Sequence, residues 1–374
     1  MIITKDNTKL KDYENNQIRN SKYFRYLLYY YFCGMTNQLR FLLLFVSVLT
    51  FAQDGTRVYE FVNITTSPRQ AALGGNANSM WDSDPNMSYW NPAMVSEQSH
   101  GQVALNYVSY LAGVGFGTVS GVYQYDDDEF FTIHGQYVDY GDFRGFDEFD
   151  VETGSFKARD VAISLGYAIN LSDFFTVGAS VKYINSTIET YNSHALAADL
   201  GIVFHDIDYN TNVSLAIRNL GFQLETYADT QEKMPLQINL GVSHRLEHVP
   251  LELSVNFHDL QKFDISRPTD ENGMKTKFGR KFIDHVSIGG ELFPGQGFNL
   301  RLGYNFKRGN ELKIDDHRSF AGLTYGFGFR INAFRFDFAH ANYYEGANSN
   351  HFGLIINLDR LIQGRNYWRS NPYY

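Results

Sequence analysis

Apolar and polar residues alternate strictly along many short stretches of this chain. Leu300, Leu302, Tyr304 and Phe306, for example, are separated by polar or small residues. The same two-residue period recurs around 161–167, 251–258, 323–330 and 334–339. Successive side chains of a β-strand point to opposite faces of a sheet, so each stretch predicts a strand with one apolar and one polar face. A soluble β-sandwich shows the same period, so alternation alone leaves that fold open.

The lengths of the predicted strands and connections favour a membrane barrel. About fourteen strands, each roughly 8–14 residues long, are predicted between residues 102 and 358, and about 9–11 tilted residues suffice to cross a bilayer. Short connections alternate with connections that are long in all but the first case, near 111–114. Short periplasmic turns and longer outer loops are typical of outer-membrane barrels. We therefore predict an all-β, transmembrane antiparallel β-barrel in the outer-membrane lipid bilayer, with both chain ends in the periplasm and long outer connections at 141–158, 188–194, 220–234, 260–283, 308–319 and 341–350.

The first fifty residues indicate secretion across the inner membrane. An apolar run at 41–52 is too short to span a bilayer and suits the core of a signal peptide. We predict an upstream extension at 1–34 from a start codon set too early, and a signal peptide at 35–52 that is cleaved before Gln53. A buried helix and a genuine extension are the alternatives. The single cysteine, Cys33, precedes that cleavage site, so the mature chain would have no disulfide or cysteine nucleophile.

Two segments outside the predicted strands do not alternate. Residues 53–101 are rich in small and turn-forming residues, which indicate a short helix and loops. We predict that 53–101 is an N-terminal plug or hatch segment for the barrel at 102–358, with a periplasmic arm as the alternative. Residues 359–374 are polar and aromatic and are predicted to form a C-terminal periplasmic tail.

The chain shows little sign of catalysis or of nucleic-acid binding. A formal net charge of −9 argues against a nucleic-acid binder. The polar strand faces carry many charges, and pairing inside a narrow barrel is the simplest interpretation, because an unpaired buried charge is costly. A catalytic carboxylate pair among them is the open alternative. We expect a non-catalytic protein with no cofactor, metal or small-molecule substrate, and with paired lumenal charges at Arg218, Arg301, Arg330, Arg335, Asp199, Glu252, Glu291 and Asp337.

Several runs of sequence resemble one family. The stretch Ser67–Gly75, followed by Asn91, Pro92 and Ala93, is similar to the plug region of the PorQ family of the type IX secretion system. Members of that family are Bacteroidetes outer-membrane barrels related to PorV and to long-chain fatty-acid transporters. Supporting runs lie at 140–149, 191–193, 257–262, 301–305 and 348–352, and the resemblance covers nearly all of 53–358. It implies a FadL-like barrel of 14 strands that anchors a PorZ-like surface protein beside the PorU sortase and PorV, without catalytic residues of its own.

Three functions follow as hypotheses. The first is a membrane anchor in the type IX attachment complex that holds a PorZ-like partner, with PorU and PorV as possible neighbours. The second is an outer-membrane transporter of hydrophobic small molecules, although the inward faces are expected to be polar or small. The third is a cargo shuttle like PorV. The candidate partner-binding residues lie in loops 141–158 and 260–283 and are Phe143, Arg144, Phe146, Phe149, Phe263 and Arg267. The candidate plug motif comprises Arg69, Gly74, Gly75, Asn91 and Pro92.

Overall fold

Fourteen strands form one closed barrel, in which every strand is antiparallel to both neighbours and the first strand pairs with the last. The computed structural model describes residues 57–110, 113–228, 230–269, 274–311, 320–344 and 347–363. The predicted antiparallel barrel and its strand number are confirmed. The strands are β1 (Gln102–Ser109), β2 (Gly115–Asp126), β3 (Glu129–Phe146), β4 (Glu152–Ser172), β5 (Phe175–Ile188), β6 (Tyr191–Asp206), β7 (Thr211–Glu225), β8 (Gln237–Arg245), β9 (Leu251–Phe257), β10 (Val286–Leu292), β11 (Phe298–Asn305), β12 (Leu323–Ile331), β13 (Phe334–Tyr344) and β14 (Ala347–Asn357).

The outer surface of the wall is a belt of apolar and aromatic side chains. Leu105, Leu165, Val181, Leu302 and Phe336 alternate with inward-facing residues and are between 40% and 61% exposed. In water, each such side chain would forgo about 1.5–3 kcal/mol relative to burial. Lipid removes that cost, and a wall of this kind belongs in the outer membrane. None of the helices in the described ranges is long and apolar enough to cross a membrane.

Three of the predicted long outer connections are wrong, because strands continue through them. They become the connections 147–151, 189–190 and 345–346 instead of 141–158, 188–194 and 341–350. Beyond the membrane both faces of a strand meet water, so the alternation that identifies strands fades while backbone pairing continues. The outer connections that are long are 226–236, 258–285 and 306–322.

Residues 57–101 lie inside the barrel and supply much of its core. Most of their side chains are buried, and they contact inward-facing residues of the wall. We call residues 57–101 the N-terminal segment. It holds two 3₁₀ turns, Glu60–Asn63 and Glu97–Ser99, and two short helices, α1 (Pro68–Ala72) and α2 (Met87–Trp90). The remaining helices are α3 (Phe278–Ile283) and α4 (Phe306–Glu311) in outer connections, and α5 (Leu358–Gln363) after β14.

The N-terminal segment runs from the outer mouth of the barrel to its periplasmic end. The N–H of Val58 donates a hydrogen bond of 3.1 Å to the carbonyl of Lys233, which lies in the outer connection 226–236. At the other end, Gly101 leads directly into β1. The expectation that both chain ends face the periplasm is therefore wrong for residue 57. A segment without alternation gives no indication of its direction through the lumen. The predicted extension 1–34, signal peptide 35–52 and the end of the tail, 364–374, lie outside the described residues.

Candidate functional site

The wall carries glycine where the N-terminal segment approaches it most closely. A Cβ atom on Gly178 of β5 would lie 2.5 Å from the carbonyl carbon of Pro92. One on Gly303 of β11 would overlap the backbone of Gly74. Gly74 and Gly75 follow α1 with φ values of +93° and +87°, a conformation that favours glycine. Backbone therefore packs directly against backbone at these positions.

A continuous series of ion pairs joins the N-terminal segment to the wall in the periplasmic half of the lumen. We call it the ion-pair chain. The Nε of Arg69 lies 2.7 Å from Glu291 of β10, and a terminal nitrogen of Arg335 on β13 lies 3.2 Å from Asp84. The segment is thus attached at two separate points. In order of contact, the members are Asp82, Arg69, Glu291, Arg301, Asp337, Arg335 and Asp84.

The ion-pair chain resists displacement of the segment. Arg69, Glu291, Arg301 and Asp337 have side chains that are at most 3% exposed. A buried ion pair adds little net stability, because both charges lose their hydration on burial. Removing one partner costs roughly 3–5 kcal/mol, because the other charge is then buried alone. A movement that pulls Arg69 away from Glu291 leaves that carboxylate buried with the longer contact of 3.4 Å to Arg301, so the ion-pair chain favours a closed lumen.

A second group of contacts holds the segment on the opposite wall. We call it the cation–aromatic cluster. Lys182 of β5 lies 4.6 Å from the ring centre of Tyr89, and the guanidinium of Arg218 on β7 lies 4.0 Å from that of Trp90. Lys182 is paired with Asp199 of β6 at 3.0 Å. Desolvated cation–π contacts are worth about 2 kcal/mol. The cluster therefore anchors α2 as the ion-pair chain anchors α1.

A β-bulge in β7 adds Asn219 to the cation–aromatic cluster. Arg218 and Asn219 together oppose the single residue Asp199 of β6, and Asn219 adopts a φ of +58°. The backbone N–H of Asn219 donates to Asp199 over 2.6 Å, and its side-chain oxygen accepts from Lys182 over 2.7 Å. Bulges re-aim side chains. This one places Asn219 on the lumenal face beside Arg218, which is already inward by the alternation of β7 and donates to the carbonyl of Val62 over 3.2 Å.

Part of the outer half of the lumen is apolar. Phe61 and Val62 of the N-terminal segment pack against Val108, Phe116 and Ile184 of the wall. We call this group, together with the other members Val58, Tyr59, Val138, Ala162, Ala195, Ala197 and Met234, the outer apolar cluster. The expectation that inward faces are polar or small is wrong here. On β1, Val108 follows outward-facing Tyr107, so both faces are apolar and the pattern does not identify the inner one.

The residues of the candidate plug motif all lie in the lumen. Arg69 belongs to the ion-pair chain, and Gly74 and Gly75 end α1. The side-chain oxygen of Asn91 accepts from the N–H of Ala93 over 3.0 Å, and Pro92 abuts Gly178. The sequence did not single out Asp82, Asp84, Tyr89 or Lys182, whose partners lie far away in the chain and could not be found from local patterns.

Four of the candidate partner-binding residues lie on a ribbon that extends β3 and β4 at the outer rim. We call residues 142–157 the outer ribbon. Phe143, Phe146 and Phe149 are 41%, 55% and 78% exposed, and Arg144 is exposed as well. The rings of Phe143 and Phe156 stack at 5.3 Å, and Lys157 lies 3.5 Å from Asp142. These cross-strand pairs stiffen the ribbon and leave its aromatic tip accessible.

Phe263 and Arg267 lie in the long connection between β9 and β10. Phe263 is 51% exposed and contacts the rings of Phe278 and His285. The ring nitrogens of His285 lie 2.7 and 3.1 Å from the carbonyl oxygens of His258 and Phe263, so this histidine ties the connection together. Arg267 is exposed on the same connection.

An aspartate fastens the first turn of this connection. Asp259 adopts a φ of +57° and accepts a hydrogen bond of 3.0 Å from Nδ1 of His258. Burial alone would raise the pKa of Asp259. The hydrogen bond and charge of His258, with a smaller effect of Lys307, outweigh burial and hold that pKa well below its ordinary value. The carboxylate is therefore charged at neutral pH.

The two groups of candidate partner-binding residues lie on different parts of the rim. Four strands, β5–β8, separate β4 from β9 on one side of the ring, and six separate β3 from β10 on the other. The structure therefore brings Phe143, Arg144, Phe146 and Phe149 together but does not join them to Phe263 and Arg267.

Comparison with known proteins gives a resemblance in fold. No family model and no curated protein matches the chain. The toluene transporter TodX of Pseudomonas putida is 14% identical with a TM-score of 0.47, over 80% of this chain and 98% of that one. A FadL homologue of Pseudomonas aeruginosa is 12% identical with a TM-score of 0.47, over 79% and 98%. The KdgM porin is 5% identical with a TM-score of 0.30, over 68% and 98%. These likenesses concern the arrangement of strands alone.

Proposed function

We propose that this barrel is a closed, non-catalytic membrane anchor that holds a protein at the cell surface. We call this function the mount. The observation that carries the proposal is the attachment of the N-terminal segment through the ion-pair chain, from Arg69 to Glu291 and from Asp84 to Arg335. A lumen filled and fastened in this way favours a barrel whose working surface is its outer rim. The exposed aromatic residues of the outer ribbon support that surface as the place of contact.

The finer proposal concerns the partner. We infer from the sequence resemblance that the mount belongs to a type IX attachment complex, with a PorZ-like protein bound at the rim and PorU and PorV nearby. We also propose that residues 35–52 are a cleaved signal peptide that delivers the chain to the outer membrane. The motif runs and the apolar run support these two statements, and they rest on the sequence alone.

The mount is tested by purification of the full-length protein from its native envelope in mild detergent. We expect a large surface protein to copurify, and to leave the cell surface when the gene for the barrel is deleted. If the deletion strain instead loses secreted cargo from its surface and keeps the surface partner, a PorV-like shuttle is favoured. Recovery of the barrel alone, with unchanged surface proteins in the deletion strain, would rule the mount out. Purified barrel in a planar bilayer should conduct almost no ions.

A second candidate is the transport of hydrophobic small molecules. The observation that favours it is the outer apolar cluster, in which Phe61 and Val62 occupy a lumenal surface formed by Val108, Phe116 and Ile184. An apolar molecule could take the place of those two side chains. This candidate does not draw on the likeness to TodX, which concerns the fold.

Transport is tested by uptake of radiolabelled toluene, which has the structure of the Phe61 side chain it would replace, into cells with and without the barrel. Faster uptake that is altered by Ile184→Asp, but not by the outward-facing control Val181→Asn, would establish this candidate. Equal uptake with and without the protein would eliminate it. The two functions are separable, because a mount needs no uptake and a transporter needs no surface partner.

A further inference from the structure

The outer ribbon has two open edges above the barrel. β2 pairs with β3 only as far as Asp139, and β5 pairs with β4 only from Ala158. Beyond those points, β3 and β4 continue to pair with each other, from Asp142 with Lys157 to Phe146 with Glu152. Within the described ranges, neither edge of the ribbon is paired with a third strand. The ribbon therefore extends the wall outwards without the neighbours that close it below.

An open edge is a binding surface for another strand. In an antiparallel pair, alternate residues direct their N–H and C=O groups away from the partner strand. Along the outer ribbon, these groups point sideways from β3 and from β4. Proteins usually protect such edges, because an unpaired edge accepts a further strand. Gly154 and Ser155 are small and leave room for a close approach of backbone.

The charge of the ribbon indicates the chemistry of the strand that fits it. Asp142 and Lys157 neutralise each other across the ribbon. Asp147 accepts hydrogen bonds from the N–H groups of Phe149 and Val151, so its carboxylate shapes the turn. Glu148, Asp150 and Glu152 are exposed around the aromatic tip, and Arg144 is the remaining basic residue of the ribbon. An excess of negative charge beside exposed aromatic rings complements a basic segment.

We propose that the outer ribbon binds its partner by β-strand addition, and that the partner contributes an extended segment rich in lysine or arginine. The inference rests on the proposed mount function and specifies how the mount holds its partner. Backbone hydrogen bonds along the open edge provide the attachment, while the acidic residues and Phe146 and Phe149 select the segment. Strand addition would also protect the edge from pairing between copies of this chain.

A synthetic peptide in which lysine alternates with threonine and valine serves as the probe. We expect it to bind the full-length barrel in detergent, measured by isothermal titration calorimetry. The same peptide, N-methylated on every second residue of its hydrogen-bonding edge, keeps its charge and loses its donors. We expect it to bind at least about tenfold more weakly. Equal binding of both peptides, or no binding of the first, would overturn the inference.

Two variants locate the site. In the first, an Asn-Gly turn replaces residues 143–156, so that Asp142 and Lys157 flank a short hairpin. In the second, Glu148→Lys and Glu152→Lys reverse the charge at two exposed positions and keep the ribbon. We expect both variants to lose binding of the peptide, while the urea concentration at which the barrel is half unfolded stays unchanged. We call the first one the ribbonless variant. Undiminished peptide binding by the ribbonless variant would refute the site.

The native partner separates this inference from the proposed function. If a surface protein copurifies equally well with the wild type and with the ribbonless variant, the proposal of strand addition at this edge is wrong. The proposed mount function is then retained. Should nothing copurify with either, the mount is wrong. Peptide titration then decides independently whether the ribbon accepts a strand.

Discussion

Arg69 and Glu291 are 222 positions apart in the sequence, yet Nε of the arginine donates to the carboxylate across 2.7 Å in the middle of the barrel. Both side chains are at most 2% exposed. One belongs to the N-terminal segment and the other to the wall, so their contact is one of the links that hold the segment in the lumen. The first expectation concerns that contact.

Arg69→Met should destabilise the protein by roughly 3–5 kcal/mol, because Glu291 then stays buried without this partner. Urea unfolding in detergent measures the loss, followed by the fluorescence of Trp81 and Trp90, which lie in the N-terminal segment. Trp368 is the third tryptophan and is replaced by Phe in every protein compared. The control is Lys157→Met, which breaks an exposed pair and should cost less than about 1 kcal/mol. Equal midpoints for the two variants would contradict the structure.

Gly178→Val should displace the N-terminal segment, because its side chain would occupy the space of Pro92. Overpacking of this kind costs about 1–3 kcal/mol, and we expect the variant to conduct ions in a planar bilayer. Gly117→Val is the matched control, since a Cβ at that outward-facing strand position meets nothing within 4 Å. A silent bilayer with Gly178→Val and an unchanged urea midpoint would show that Pro92 does not lie against β5.

Arg57→Cys should react with a membrane-impermeant maleimide on intact cells, because residue 57 lies beside the outer connection that contains Lys233. Asp127→Cys, in the exposed turn between β2 and β3, should react only after the outer membrane is permeabilised. Cys33→Ala provides a background without other cysteines. The opposite labelling pattern would invert the orientation of the barrel.

Acid should loosen the connection between β9 and β10. The pKa of Asp259 is lowered in the folded chain, so its stabilising effect is complete above the ordinary carboxyl value of about 3.9. It is lost as the pH falls through the lowered pKa. Asp259→Asn keeps the shape of the turn and should reduce this pH dependence. The emission of a Phe263→Trp reporter, corrected for the protein without it, measures the change. If the reporter emission depends on pH in the same way with Asp259 and with the Asp259→Asn variant, Asp259 does not stabilise the connection.

Sequence periodicity predicts which side chains of the barrel wall face lipid and which face the lumen. Leu300 and Leu302 face lipid and Arg301 faces the lumen, as their alternation predicts. The same rule failed above the membrane, where Asp142 to Phe146 form a strand with water on both faces. It also failed at Val108, because that residue packs against the N-terminal segment and needs an apolar side chain on the inside.

The site depends on contacts that no local pattern contains. Arg69 was predicted as part of the plug motif, but its partner Glu291 follows from the path of the N-terminal segment through the lumen. Lys182 and Arg218 face the lumen by alternation, but their contact with Tyr89 follows from the path of the N-terminal segment, and the bulge that adds Asn219 to the cluster has no local sequence signal. The sequence predicts a loop at 141–158, and the open edges of the outer ribbon follow only from the pairing of β3 with β4.

The path of the N-terminal segment also has a consequence for how the barrel can close around it. The segment precedes every strand of the wall in the chain, yet it ends up enclosed by all of them. The pairing of β1 with β14, from Gln102 with Asn357 to Ser109 with Asn350, joins strands from opposite ends of the barrel sequence and completes the enclosure. Once that seam has closed, Arg69 and Trp90 have no route into the lumen except lengthwise from an open end. Closing the wall around a segment that is already in place avoids that lengthwise passage, whereas a segment that arrived late would have to enter a barrel with an empty lumen.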